Sequence, residues 1–383
     1  MLELQYYSKF GGTQNKGKEK VLKKNIIAMA IAGIGFLTGS AFAQSNVVLY
    51  GNVDAGIVKK SGHNVGMNQD VNTNNVIGLK GSEDLGGSTR AIFKIEKRFH
   101  INDGTEDNEG KENRDLSGQA YVGLKNGYVG TLRLGRINEI SNELFRKYDL
   151  HNNYGVASAL TPINYTQRTD NTVRYDSPEF GGINLMASYS FGENIDKESR
   201  TERGEMIKSA GYDNDGWAVG ATGKWGWFDT SASYARLADS NKSDIWNVAV
   251  GATFGAWRYN IGYQKAENKG MVQGEWMDWV GNNDTYGDAD NIKTEQWLGG
   301  VSWNITERNR ISAQANFMKV KSSGISDSNV RKYSIGYDYA FSKRTTAYAQ
   351  VAYTKYDNED TARLFSDARE SSTAYMVGMN HKF

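Results

Sequence analysis

The 383-residue sequence has no cysteine, two prolines, four histidines and no marked excess of charge of either sign. The missing thiols exclude disulfide staples and thiolate metal sites, and they suit a chain that crosses an oxidising compartment unfolded. His63, His100, His151 and His381 stand in neither a Ser/Asp setting nor an HExxH spacing, so no hydrolase or zinc-protease centre is indicated. The acidic runs Asp103 to Glu109 and Asp284 to Asp290 lack the spacing of an EF-hand loop and read as solvated loops. The glycines of 81–87 precede no helix, which makes them a turn and not a phosphate cradle. No cofactor or metal is expected, and the near-neutral charge offers nothing to nucleic acid.

Long apolar runs are also missing, and mean hydropathy is −0.62. One short segment departs from this. Lys23 and Lys24 precede an apolar stretch from Ile26 to Leu37, then Ala41-Phe42-Ala43 before Gln44. That is the basic, apolar and small-residue order of a secretory signal peptide, here 21–43, and it is too short to span a bilayer. Residues 1–20 are read as an extension outside the natural protein, with translation starting at Val21. The working domain is then 44–383, whose 39 basic and 42 acidic residues give a net charge of −3.

What is plentiful is glycine (43) and aromatic residues: 22 Tyr, 14 Phe and 9 Trp. The last nine residues place Tyr375, Val377, Met379, His381 and Phe383 at every second position, the period of a strand with one continuous face. From Asn46 onward such segments recur in pairs, joined by tight Gly/Asn/Asp turns on one side and long polar segments on the other. Val76–Glu83 with Ser88–Lys97 and Trp246–Phe254 with Tyr259–Lys265 are examples. With Val47–Ile57 and Tyr375–Phe383 the count is sixteen; Lys208–Tyr212 is left in a loop. An even count lets first and last strands pair and removes every edge, as lipid requires. Apolar residues alternate with polar or small ones, and aromatics gather near strand ends. The expectation is an all-β fold: a 16-stranded antiparallel transmembrane β-barrel, multi-pass, wide enough for water.

In such a barrel the chemistry lies in charges at a narrow point of the pore. The longest irregular segment before the midpoint, Asn138 to Tyr165, carries Glu139, Glu143 and Asp149, and long loops are commonly functional. We expect this third loop to fold into the lumen. Strand parity points Lys94, Arg133, Arg168 and Arg174 inward, with Asn52, Asp54, Asp170, Thr172 and Asp176. An acidic loop facing a basic wall sets a transverse field that screens solutes by size and charge.

Several stretches resemble the Gram-negative general porin family. They are 49–56 (LYGNVDAG), 78–87 (GLKGSEDLGG), 119–124 (QAYVGL), 134–136 (LGR), 170–182 (DNTVRYDSPEFGG), 336–344 (GYDYAFSKR) and 378–383 (GMNHKF). They run through the whole mature chain in order. The resemblance implies a homotrimer of such barrels in the Gram-negative outer membrane, among lipids that include lipopolysaccharide. It also implies that the outer-membrane assembly machinery reads the final strand through Tyr375, Met379, His381 and Phe383. By motif Arg168 corresponds to an eyelet arginine. The family's second- and fourth-strand arginines are replaced by Val76 and Gly118, so strong anion selectivity does not follow unless Lys80, Lys94, Arg133 and Arg136 compensate. The function expected is a general diffusion porin for ions and small hydrophilic solutes, with no turnover, and Arg168→Glu should then shift permeability toward cations. A substrate-specific porin, with Trp276 and Trp279 meeting sugars, a plugged structural or adhesion barrel, and a barrel enzyme are the alternatives.

Overall fold

A computed structural model describes residues 46–383, apart from 70–72, 108–113, 163–166, 193–197, 201–205, 209–214, 239–242, 270–290, 323–325, 366 and 368. The segments 1–20 and 21–43 and the tryptophans Trp276 and Trp279 lie outside the described residues. Within Ser45–Phe383, one compact unit, alternation of residue type produces sixteen barrel strands. They are β1 Asn46–Lys60, β2 Val76–Gly86, β3 Thr89–Arg98, β4 Ala120–Asn126, β5 Gly130–Asn138, β6 Arg168–Asp176, β7 Ile183–Ser190 and β8 Gly216–Trp225. The second half holds β9 Phe228–Arg236, β10 Asp244–Phe254, β11 Trp257–Glu267, β12 Lys293–Asn304, β13 Asn309–Lys321, β14 Ser328–Ala340, β15 Thr345–Tyr356 and β16 Ser371–Lys382. Each pairs antiparallel with the next.

Closure is staggered. The first half of β1, Asn46–Asn52, pairs with β2, and its second half, Asn52–Lys60, pairs with β16. Such an offset is what closing a tilted sheet requires. A short strand missed in the sequence, Gly66–Gln69, covers the edge of β1 at Ala55–Val58. At the seam Phe383 exchanges two backbone hydrogen bonds of 3.1 Å with Gly51. Its ring occupies the space a Gly51 side chain would need. The alternation also continues past the expected strand ends. Lys208, expected in a loop, instead ends a strand Met206–Lys208 that pairs with Glu198–Arg200 outside the barrel sheet.

Tight turns join strands at one end. Between β8 and β9, Gly226 takes a φ of 59°, and between β10 and β11 Gly255 takes 56°, a conformation that costs glycine nothing. Two rows of aromatics ring the outer face. At the short-turn end Trp227 meets Phe254 at 4.6 Å and Trp257 stacks on Trp303 at 5.1 Å. At the long-loop end Trp217 meets Tyr234, and Tyr263 lies between Trp246 and Trp297 at 5.1 and 4.8 Å. The eight steps from Trp246 to Phe254 span roughly 26 Å of strand. A tilt of about 40° reduces that to a height of about 20 Å, close to the apolar band of an outer-membrane barrel. Between the rows Val248, Ile261, Ile335 and Val377 are 40–55% exposed. No helix among the described residues is long and apolar enough to cross a membrane.

The ladder shifts beside the β2–β3 turn, between Asp84 and Gly86, and at a place that matters more. Between Gly135/Thr172 and Ile137/Thr169 the β5–β6 ladder shifts by one residue, with Asn171 at a φ of 49° and Gly135 at 137°. Such a bulge breaks side-chain parity. Thr172 Oγ1 lies 2.9 Å from Thr169 Oγ1, so Thr169 shares the inner face with Thr172. The parity that assigned Arg168 and Asp170 to that face does not hold beyond the bulge.

Candidate functional site: the third loop on the inner wall

The segment between β5 and β6 begins with a helix, α1 (Ile140–Phe145), and a 3₁₀ turn, Arg146–Tyr148. Its polar ends and apolar face account for its position. Glu139 caps the helix, accepting from the amides of Ser141 at 2.9 Å and Asn142 at 2.8 Å, which satisfies donors every helix start leaves open. Ile140 and Leu144 are fully buried against Ala218, Ala235, Ile245 and Ala266. Phe145 and Tyr148 pack on Ala249 and Leu298. Burying such side chains stabilises the seat by roughly 2 kcal/mol each.

The wall makes room for them. An added Cβ at Gly220, Gly262, Gly300 or Gly336 would fall within 2.8 Å of Ile140, Phe145, Leu150 or His151, respectively. These four glycines, on β8, β11, β12 and β14, form the socket of the loop. Overfilling a packed site costs about 1–3 kcal/mol. Gly262→Leu should therefore loosen the loop and raise its amide exchange around Phe145, while exchange across β1 and β16 stays as in the parent.

Irregular backbone inside a wall needs partners, and inward amides provide them. Asn247 Nδ2 donates to Ser141 O and Asn260 Nδ2 to Tyr148 O, both at 3.0 Å. Gln314 accepts from the Leu150 amide and donates to Asp149, both at 3.0 Å. Gln350 accepts from the Ala157 amide at 3.0 Å, and Gln296 donates to Leu160 O at 2.8 Å. Beyond them Leu160 joins an apolar cluster with Met318, Val320, Val330 and Tyr356. That cluster is covered by a second helix, α2 (Glu359–Leu364), of the loop before β16.

The predicted charges fall into separate groups. Arg174, 1% exposed, forks onto Glu143 with bonds of 3.0 and 3.1 Å. It also donates to Asp176 and to Asn138 O. Arg133, its cross-strand neighbour, shares Asp176 and lies 5.5 Å from the Tyr121 ring. Lys80 and Lys94 gather over the Tyr50 ring at 5.0 and 5.7 Å, with Lys94 paired to Glu96 at 2.7 Å. Arg136 lies apart, bound to Asp170 and to the carbonyls of Ser117 and Gly118. Arg168, 6% exposed, donates to Gln167.

The loop does not present its acids as a free row. Glu139 is 4% exposed and serves the helix cap; burial pushes its carboxyl up, against the hydrogen bonds it accepts. Asp149, 2% exposed, ties the amides of His151, Asn153 and Ala159 at 2.8–3.0 Å. Burial also pushes Glu143 up, but the Arg174 charge outweighs it and the carboxyl is held low. The exposed charge of this segment is Lys147, with Arg146 half-buried at 5.0 Å from the Tyr154 ring.

Between the loop and the short-turn end lies a cavity of about 390 Å³. Arg146, Arg308, Arg310 and Lys382 border it against Glu307 and Asp338, a surplus of two positive charges. Arg310 lies 3.5 Å from Asp338 and holds Leu150 O at 2.6 Å. Among the described residues no salt bridge includes Arg308 or Lys382, and both are exposed. Their signal in the sequence was weak: one is in a turn and one is next to last.

His151 also borders this cavity and is 4% exposed. Burial pushes its pKa down to about 4, against the Asp149 charge. The seated loop therefore holds a neutral imidazole, while a released loop would protonate near its ordinary value of about 6.5. Full stability from this group is present above about 6.5 and is lost as pH falls toward 4, in all about 3 kcal/mol. Glu139, pushed up, works in the opposite sense. We expect acidification over that window to loosen the parent loop more than a His151→Gln loop, read by amide exchange at Leu150 and Asn152.

Comparison with known proteins gives a consistent picture. A profile described as Gram-negative porin matches residues 28–359. An outer membrane porin protein of Bordetella pertussis is 28% identical over 94% of this chain and 100% of its own length. An anion-selective porin from Comamonas acidovorans superposes with a TM-score of 0.68 at 22% identity, covering 89% of this chain and all of that one. OmpT of Vibrio cholerae in a trimer form gives 0.60 at 14% identity, covering 88% of this chain and 99% of that one.

Proposed function

The chain belongs to the Gram-negative porin family, and from that premise we propose that it is a general diffusion channel with a preference for small anions. As an outer-membrane porin it crosses the bilayer as a closed barrel. Ions and small hydrophilic solutes pass down their gradients, past the third loop, with no bond made or broken. The single observation that carries the anion preference is the cavity beside that loop, with four cations against two carboxylates. Lys147 and Lys80 add to the same sign, while Lys94 is neutralised by Glu96. A wall of one sign concentrates counter-ions and repels co-ions.

In this reading Arg174 and Glu143 hold the constriction in place, and Glu139 and Asp149 hold the loop to itself. The solute meets Arg308, Arg310, Lys382, Arg146 and Lys147. Arg133 is half engaged by Asp176, and Arg136 and Arg168 are framework. The homotrimer is proposed on the trimer form of the Vibrio cholerae neighbour. The signal peptide 21–43, export of 44–383, outer-leaflet lipopolysaccharide and reading of Tyr375, Met379, His381 and Phe383 by the assembly machinery belong to the same proposal. The exposed aromatic terminus supports the last of these.

Reversal potential across a potassium chloride gradient in a planar bilayer tests it. An anion-signed potential with stepwise conductance is expected. A cation-signed potential would overturn the preference, and a silent bilayer would favour a plugged barrel.

A further inference from the structure

On the inner wall of β1–β5, rings and cations alternate in one stripe. Leu49, Ile77, Ile95, Val122 and Leu132 point outward and are 39–59% exposed, so by alternation Tyr50, Lys80, Lys94, Tyr121 and Arg133 face the lumen. The Tyr50 ring lies over Gly78, where an added Cβ would meet it at 2.7 Å. Lys80 Nζ stands 5.0 Å and Lys94 Nζ 5.7 Å from the centre of that ring. Lys94 is the cross-strand partner of Tyr121, whose ring lies 5.5 Å from the Arg133 guanidinium. The order is therefore Lys80, Tyr50, Lys94, Tyr121, Arg133. Arg133 shares Asp176 with Arg174, the residue that holds Glu143 of α1, so the stripe ends beside the third loop.

Charge along the stripe is uneven. Lys80 and Lys94 stand directly opposite each other, a placement that weakens a sheet. Glu96 answers Lys94 at 2.7 Å and also accepts from the Tyr50 hydroxyl at 2.8 Å. Asp176 answers Arg133. Lys80 is exposed and lies in no salt bridge among the described residues. One unanswered positive charge therefore stands beside an aromatic ring, with a second ring further along. Chloride or phosphate would use the charge and leave the rings idle. A neutral aromatic solute would use the rings and leave the charge idle. A planar ring bearing a single carboxylate uses both: the carboxylate on Lys80, the ring offset or edge-on against Tyr50 or Tyr121.

We propose that this stripe is a binding site for aromatic monocarboxylates on their way past the third loop. The inference rests on the anion-passing channel proposed above and names the solute class that the wall of β1–β5 holds longest. Block of chloride current in a planar bilayer by benzoate and by cyclohexanecarboxylate reads it, because the two acids carry the same charge at nearly the same size and differ in aromaticity. In the parent, benzoate should half-block at a concentration about fivefold lower than cyclohexanecarboxylate, the worth of one aromatic pair. Replacing both rings, Tyr50→Leu with Tyr121→Leu, should bring the two half-blocking concentrations together. Lys80→Gln, at an exposed position outside any salt bridge among the described residues, should weaken both acids about threefold, as the loss of one close charge in a wet site does, and keep their ratio. Equal block by the two acids in the parent, a preference for benzoate kept without the rings, or undiminished benzoate block in Lys80→Gln would overturn the site. The same recordings separate the two readings: a conducting, anion-signed parent that ranks the acids equally sinks this site alone, and a silent parent sinks the channel and the site with it.

Discussion

Arg174→Met is expected to release α1 from the wall, lower the thermal midpoint of the barrel and make the open channel noisy. The side chain is 1% exposed and engages Glu143, Asp176 and Asn138 O. Methionine fills much of its volume but supplies no donor. Two carboxylates that face a fork of N–H groups would then face apolar atoms, and removing one partner of a buried pair costs about 3–5 kcal/mol. The Glu143 side chain keeps 25% exposure, which favours the low end, about 3 kcal/mol. Glu143→Gln should cost less, because the amide keeps one acceptor for Arg174. The informative variant removes both: Arg174→Met with Glu143→Met should recover much of the loss, since the cost lies in the orphaned charge. A single Arg174→Met channel as quiet and as heat-stable as the parent would show that the apolar face of α1 alone holds the loop.

The barrel was legible from period-two patterning because a membrane wall has only one way to sort side chains: apolar to lipid, polar to water. The strand count, closure and outward face of Leu132, Leu134 and Tyr175 followed from that rule. The site was less legible, for two physical reasons. Parity presumes an unbroken ladder, and the bulge at Asp170–Asn171 breaks it at the residues the argument needed most. Charge alone also does not report exposure. Glu139, Asp149 and Arg174 carry the expected charges but spend them on amides and on each other. Arg308 belongs to a turn, where no alternation marks direction, and Lys382, which the period of the last strand puts on the face of Asn380, is next to the terminus. The glycines Gly220, Gly262, Gly300 and Gly336 were the overlooked sign. A missing side chain at inward positions of four strands marks where something else is packed.

Reversing the cavity charge should move ion preference far more than reversing Arg168. Arg308→Glu with Lys382→Gln takes the six charges bordering the cavity from a surplus of two to a net −1. Both residues are exposed and lie outside any salt bridge among the described residues, so the fold loses little. At about 8 Å in a water-like medium one unit charge is worth about 0.5 kcal/mol. Three units alter the energy of a passing ion by about 1.5 kcal/mol, with opposite sign for anion and cation. Screening removes part of this, leaving a change of about tenfold in the permeability ratio and a reversal potential of opposite sign. The Debye length shrinks from about 10 Å at 0.1 M to about 3 Å at 1 M salt, so the difference between variant and parent should largely vanish at 1 M. A steric change would persist there. Arg168, 6% exposed and beyond the bulge, is expected to lose stability on conversion to Glu before it alters selectivity. A ratio unchanged by the double variant at 0.1 M would move the charge filter across the barrel, to Lys80 and Lys94 over the Tyr50 ring.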